Sequence, residues 1–279
     1  MKVSPKISHK KDDFLLIESF LLKEGKLFLE SLHLERIKKS ALFFGFKFSE
    51  KEILEKLEKI KIKNNKNKDY KIRLTLNKNG EIKITQEEIS HVHGTRHLAQ
   101  GAKWLVGDGG ADLFYFLSRK LGKNQKRSAK KNLSTGCQKT LQKEIYPDPS
   151  LKKVVISSQR VNSKDPFLQH KTTVYRSFYD QEQKEAKQGG FFSVIFLNEK
   201  DEITEGSSSN IFIKEKGKLF TPPLQCGLLP GTYREYLLRQ DKAQEKIIGI
   251  PDLKKSSQIF LANSVRGLVE IAVEFSTNE

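Results

Sequence analysis

Cysteine is scarce in this chain. Cys137 and Cys226 are the two among 279 residues, and their spacing makes neither a disulfide framework nor a metal-ligand cluster, so no metal is expected. Long apolar runs are missing too: none approaches the ~20 residues that a membrane-spanning helix needs. Met1 to Asp13 is polar and basic where a secretory leader would carry an apolar core, and it reads as a frayed tail. A cytoplasmic protein without membrane attachment is the expectation. Acidic residues are also in short supply, 34 against 51 Lys and Arg, for a net charge of +17. A surplus of that size suits nucleic acid. The excess is mostly lysine spread along the chain, however, and no zinc-ligand cluster or RNA-binding aromatic motif accompanies it. A small anionic partner fits a basic surface equally well, and nucleic acid is the lesser expectation. Hydrophobic content is low at 37%. The length still suffices to bury a substantial core, in one large domain or two packed ones.

What is present begins with strand texture. Phe14 to Phe20 is dense in apolar residues, and Glu24-Gly25 signals a hairpin into Lys26 to Leu29. Leu34, Ile37, Ala41 and Phe44 keep helical spacing over His33 to Phe44. Ser49 is a candidate N-cap for a helix over Glu50 to Ile60. Asn64 to Lys68 is a polar turn, and Asn79-Gly80 joins strands over Tyr70 to Leu76 and Glu81 to Thr85. Residues 13–90 therefore read as a small α+β domain after a tail at 1–12.

Residues 91–145 differ. They hold the single tryptophan, Trp104, a short apolar block over Leu113 to Leu117 and a basic run from Arg119 to Lys131. Alternation is poor, and a structureless loop this long is uncommon inside a compact domain. The segment is expected to be an insertion of unknown structure, either disordered or a small appendage. From Val154 strand texture returns, at Val154 to Ser157, Val194 to Leu197, Ile211 to Ile213, Lys218 to Phe220 and Ile259 to Leu261. Helices are expected over Tyr179 to Lys187 and Thr232 to Arg239. Residues 146–279 thus read as a larger α/β domain with a mixed sheet. No internal repeat is visible.

Several residues, most of them in this half, could carry chemistry. Lys171 follows the turn-favouring Asp165-Pro166. Alone it is one lysine in a surplus, but a desolvated lysine can form a Schiff base. Glu205 stands between apolar strands and opens the small polar turn Gly206 to Asn210, including Ser209. It is either a turn carboxylate or a partner for a protonated ring nitrogen. Leu229-Pro230-Gly231-Thr232 leads into a helix whose first N–H groups suit an anion. Asn263-Ser264-Val265-Arg266-Gly267 ends a strand, as a plain turn or a second anion loop. Arg36 lies on the first helix, solvated or turned inward with a fork suited to phosphate.

Each signal is weak separately. In their order and spacing they resemble the class IV (fold-type IV) aminotransferase family of pyridoxal-phosphate enzymes, over about Asp13 to Val273 except residues 91–145. That resemblance implies a two-domain α/β (α+β) fold of the D-amino-acid aminotransferase type, with an atypical insertion between the domains. It implies pyridoxal 5'-phosphate as cofactor, held covalently by Lys171, with Glu205 at the pyridine nitrogen. Arg36 of His33-Leu34-Glu35-Arg36, Thr232 and Tyr233 (chiefly by backbone N–H) and Ser264 then receive the phosphate, with Ser209 and Asn210 beside them.

Ile17-Glu18-Ser19-Phe20, His170-Lys171-Thr172-Thr173 and Asn263 to Gly267 look most like the 4-amino-4-deoxychorismate lyase branch, including the lyase domain fused to aminobenzoate synthase component I. A lyase making 4-aminobenzoate and pyruvate for folate synthesis is the implied activity. Lys171 is then also the proton-transferring base. Arg73, Arg176 and Arg266 are candidate partners for a dicarboxylate substrate. A homodimer, and aminodeoxychorismate synthase as a functional partner, follow from the same resemblance. Two alternatives stay open. One is transamination of branched-chain or D-amino acids on the same machinery. The other is an enzyme impaired by the insertion, or a basic nucleic-acid-binding protein.

Overall fold

Period-two alternation decides the first half of the fold. In the computed structural model, residues 14–64, 66–89, 102–106, 112–116 and 151–275 are described. The chain divides into two compact units, residues 1–90 together with 149–279, and residues 91–148. The first unit opens with β1 (Leu16–Lys23) and β2 (Lys26–Leu27), joined through Glu24 and Gly25 at φ 50° and 75°. The helices α1 (Glu30–Phe44) and α2 (Glu50–Lys63) follow, then β3 (Asp69–Leu76) and β4 (Ile82–Ile89). The strands form an antiparallel sheet in the order β2-β1-β3-β4.

Tyr70, Ile72, Leu74 and Leu76 of β3 are buried in one core with Leu34, Ile37 and Ala41 of α1 and Ile53 and Leu57 of α2. Alternation then sends Lys71 and Arg73 to the other face of β3. On β1 the same rule sets Leu16, Glu18, Phe20 and Leu22 on the helix side, and Ile17 and Ser19 on the side that lines the site.

The second half of this unit contributes β7 (Lys152–Val161), α3 (Arg176–Gln188), β8 (Ser193–Asn198), β9 (Ile203–Gly206), β10 (Ser209–Glu215), β11 (Lys218–Thr221), α4 (Thr232–Arg239), β12 (Ala243–Glu245), α5 (Ile250–Lys255), β13 (Gln258–Asn263) and β14 (Gly267–Glu274). The eight strands run in the order β12-β11-β10-β13-β14-β7-β8-β9, and β9 pairs back onto β10, so six of them close on themselves. β7 is parallel to β8 and β14, and β11 to β12; the other pairs are antiparallel. All six residues of β8 are buried, which is why Val194 to Leu197 reads as an unbroken apolar run rather than an alternating one.

A short bridge ties the two halves together. Leu16 pairs with Thr172, the Ile17 N–H donates to the Lys171 carbonyl (2.9 Å), and the Thr173 N–H donates to the Leu15 carbonyl (3.0 Å). In the second unit, β5 (Ala102–Val106) and β6 (Asp112–Phe116) pair antiparallel, with Trp104 opposite Phe114. The apolar block expected over Leu113 to Leu117 falls largely on β6. The basic run Arg119 to Lys131 and the tail 1–12 lie outside the described residues. Among the described residues, no helix is long and apolar enough to cross a membrane. Nor does any group of three or more His, Cys, Asp and Glu there stand ready to hold a metal ion.

Candidate active site

A cavity of about 360 Å³ opens where the bridge, the turn after β9, the head of α4 and the turn after β13 converge. Lys171 is brought there by a 3₁₀ turn over Pro166–Gln169, capped by the Asp165 carboxylate accepting from the Phe167 N–H (2.9 Å). Its backbone is pinned by β1, so its side chain projects into the cavity. Burial, reinforced by the positive Arg36, Arg176 and Arg73, lowers the Lys171 amine to about 8.

Glu205, 7% exposed on β9, faces the same space. Its donors are all neutral: the Leu229 N–H (3.2 Å), the Tyr179 hydroxyl (3.4 Å) and the Asn210 amide (3.5 Å). Burial therefore prevails and raises the carboxyl to about 8, so at neutral pH it carries its proton. Tyr179, pushed well above its ordinary value by burial and then by Glu205, stays a phenol and a donor.

The head of α4 is shaped by Gly231. A Cβ there would come within 1.9 Å of Asn210 Oδ1, and Asn210 is itself fixed, donating to the Leu229 carbonyl (2.8 Å). Only glycine lets the chain enter the helix this close to β10. The first N–H groups of α4, those of Thr232 and Tyr233, have no acceptor within the helix, and Gly231 and Thr232 at this head line the cavity.

Arg36 turns inward, 8% exposed. Its fork grips Glu18, from Nε to Oε1 (2.8 Å) and Nη2 to Oε2 (2.6 Å), while Nη1 donates to the Pro230 carbonyl (3.0 Å). His33 completes this cluster, with Nδ1 at 2.6 Å from Glu18 Oε2 and Nε2 at 3.2 Å from Thr232 Oγ1.

Of the residues expected from sequence, Arg36, Lys171, Glu205, Ser209, Asn210, Thr232 and Ser264 all line this one cavity, as do Arg73, Arg176 and Arg266. The Tyr233 ring packs instead against Phe28 (6.1 Å) and Tyr236 (6.1 Å), which leaves its backbone N–H as its route to the site. In the turn after β13, Asn263 Oδ1 accepts from the Val265 and Arg266 N–H groups (3.0 and 2.9 Å). Those amides are therefore engaged within the turn, and Ser264, whose hydroxyl donates to the Ser19 carbonyl (3.2 Å), is its buried polar group. Glu18, His33, Lys71, Tyr179 and His170 escaped the sequence reading. The signal for Glu18 was a charged residue at an inward position of an apolar strand.

The family model for amino-transferase class IV matches residues 15–95 and 81–273. The chain belongs to this family. Its cofactor is pyridoxal phosphate. Over 85 residues the chain is 32% identical to a protein assigned by inference as a branched-chain-amino-acid aminotransferase in Thermotoga maritima, covering 29% of this chain and 31% of the relative. Over 86 residues it is 34% identical to the aminodeoxychorismate lyase of Saccharomyces cerevisiae, covering 29% of this chain and 23% of the yeast protein. The matches thus span less than a third of these curated relatives. A solved structure from Mesorhizobium loti, assigned by inference as an amino-acid aminotransferase, superposes with a TM-score of 0.68 at 25% identity, over 94% of this chain and all of the other.

The residues in the cavity fit this cofactor. A buried carboxyl with only neutral donors is complemented by a protonated ring nitrogen. A helix head kept open by Gly231 suits a phosphate, and a lysine amine lowered to about 8 suits an aldehyde.

Proposed function

We propose that this chain is a pyridoxal-phosphate-dependent lyase that converts 4-amino-4-deoxychorismate to 4-aminobenzoate and pyruvate. The observation carrying this reading is the charge of the cavity wall. Lys71, Arg73, Arg176 and Arg266 line it in addition to Arg36 and Lys171, against the carboxyls of Glu205 and Asp180. That surplus exceeds what one phosphate needs and suits a substrate with two carboxylates.

The bound cofactor supplies an electron sink for the carbanion at the amine-bearing carbon. Lys171 would hold the cofactor, and its amine, when free, would serve as the base that takes the proton from that carbon. Glu205 would pass its proton to the ring nitrogen and, as a carboxylate, hold it there. The head of α4 and the Arg36 donors left free by Glu18 and Pro230 would hold the phosphate, joined by Ser264 once its hydroxyl turns from the Ser19 carbonyl, with Ser209 and Asn210 shaping the adjoining wall. Arg73 on β3 and Arg266 in the turn after β13 orient the substrate carboxylates. Arg176 is partly engaged by Asp180 and the Ser207 carbonyl (3.3 Å), and serves the substrate through its remaining donors.

Purified protein given aminodeoxychorismate should release 4-aminobenzoate. Clear amino transfer between amino-acid and 2-oxo-acid pairs with no 4-aminobenzoate would overturn the lyase reading in favour of an aminotransferase. That second reading has support in the apolar side chains of Ile17, Leu168 and Val265 among those lining the wall. A homodimer, a cytoplasmic location, aminodeoxychorismate synthase as the source of substrate, and a division into domains at 13–90 and 146–279 with 91–145 inserted between them belong to the same proposal.

A further inference from the structure

The cluster beneath the head of α4 holds more ionisable groups than an arginine clamp requires. Glu18 is 1% exposed and His33 is fully buried. Burial alone would raise the Glu18 carboxyl, but Arg36 and then His33 hold it well below the usual carboxylate range, so it is ionised. A carboxylate 2.6 Å from His33 Nδ1 fixes a proton on that nitrogen. Burial keeps the imidazole below its ordinary value against the pull of Glu18, so the ring is neutral and Nε2 carries a lone pair. Thr232 Oγ1 lies 3.2 Å from that lone pair, and its one proton points into the imidazole. In that state the Thr232 hydroxyl has no proton to offer an anion at the helix head.

We propose that Glu18 and His33 form a proton-coupled support for an anion at the head of α4: a phosphate group accepting from Thr232 is accompanied by one proton passing from solvent to Nε2 of His33. The protonated ring then donates from both nitrogens, to Glu18 and to Thr232 Oγ1, and the threonine proton turns to the phosphate. The proton added to the buried cluster offsets part of the phosphate's charge. The groups facing His33 are Glu18 and the Phe20 ring (4.4 Å) from β1, Arg36 from its own helix, Lys171, and Thr232 from α4. Arg36 and Lys171 oppose the added proton; Glu18 and the incoming anion favour it. Glu18 and His33 are positioning residues, acting through Arg36 and Thr232. The inference rests on the reading that the head of α4 receives the cofactor's phosphate.

Calorimetric titration of the full chain, free of cofactor, separates the two. Pyridoxine 5'-phosphate and pyridoxine, both alcohols that leave Lys171 unreacted, are titrated in buffers of differing ionisation enthalpy. The phosphorylated compound is expected to bind tighter and to take up close to one more proton than pyridoxine near pH 8. Its affinity advantage should fall about tenfold per unit of pH. In His33→Gln the extra uptake should vanish and the advantage shrink roughly tenfold, the worth of one hydrogen bond to a charged group. Tighter binding with equal proton uptake, or extra uptake that persists in His33→Gln, would overturn the proton coupling and leave the phosphate site standing. Equal affinity of the two compounds would overturn the phosphate site itself.

Discussion

An amine held near 8 is about a tenth neutral at pH 7, so Lys171 should react with aldehydes where an ordinary lysine does not. Capture of pyridoxal phosphate, followed by visible absorbance, should quicken from pH 6 and level off above about 8; Lys171→Ala should show no such band. Glu205 works in the other direction. Its folded value, about 8, exceeds the unfolded 4.5, so the folded chain binds more protons between them. The stability of the cofactor-free protein should therefore fall as pH rises from 4.5 to 8. Glu205→Gln removes that loss while keeping an acceptor for the Leu229 N–H. Its melting temperature should draw ahead of the parent's as pH rises through this window and match it near pH 4.5, while its affinity for pyridoxal phosphate drops. A constant offset at all pH values would contradict a buried, protonated carboxyl. At this scale the sequence was only partly informative. Lys171 and Glu205 could be picked out by their order along the chain. The Glu18–His33 pair could not, because its meaning depends on α1 crossing β1 at those residues.

Two elements carry separable predictions. Gly231→Ala puts a methyl where Asn210 Oδ1 stands, and Asn210 yields only by releasing the Leu229 carbonyl and its neighbour Glu205. The variant should lose tenfold or more in cofactor affinity and destabilise the fold, and Asn210→Ala in the same chain should recover part of the stability, the signature of directly coupled sites. Ser49 accepts from the Glu52 N–H (3.3 Å) at the start of α2. Ser49→Ala should cost about 1 kcal/mol in denaturant unfolding with the site unaffected. That cap, α1 and the hairpin at Gly80 were legible because their causes are local. β14 was not: five of its first six residues are half-buried and only Ile271 is buried, so neither alternation nor an apolar run marks it. β7 outran its apolar start because a register shift between Ile156 and Arg160 carries pairing with β8 through the polar Ser157 to Gln159. Helix α1 starts at Glu30, ahead of the first apolar repeat, and its N-cap Leu29, at φ 55° without a side-chain cap, gives no start signal.

At the scale of the molecule, the described residues of the cores over β1–β4 with α1 and α2, and over β7–β14, lie within 14–89 and 151–275. Replacing residues 91–148 with a flexible linker should leave a chain that unfolds cooperatively and still binds pyridoxal phosphate; loss of both would show that this segment is needed for folding. The bridge between Leu16 and Thr172 has a consequence for biosynthesis. The cavity wall runs from Ile17 to Arg266, so on the ribosome the N-terminal strand must wait, at ~5–20 residues per second, some tens of seconds for its partners. Nascent chains stalled before Arg266 emerges should not retain the cofactor, and loading with it marks the moment the cavity wall is complete.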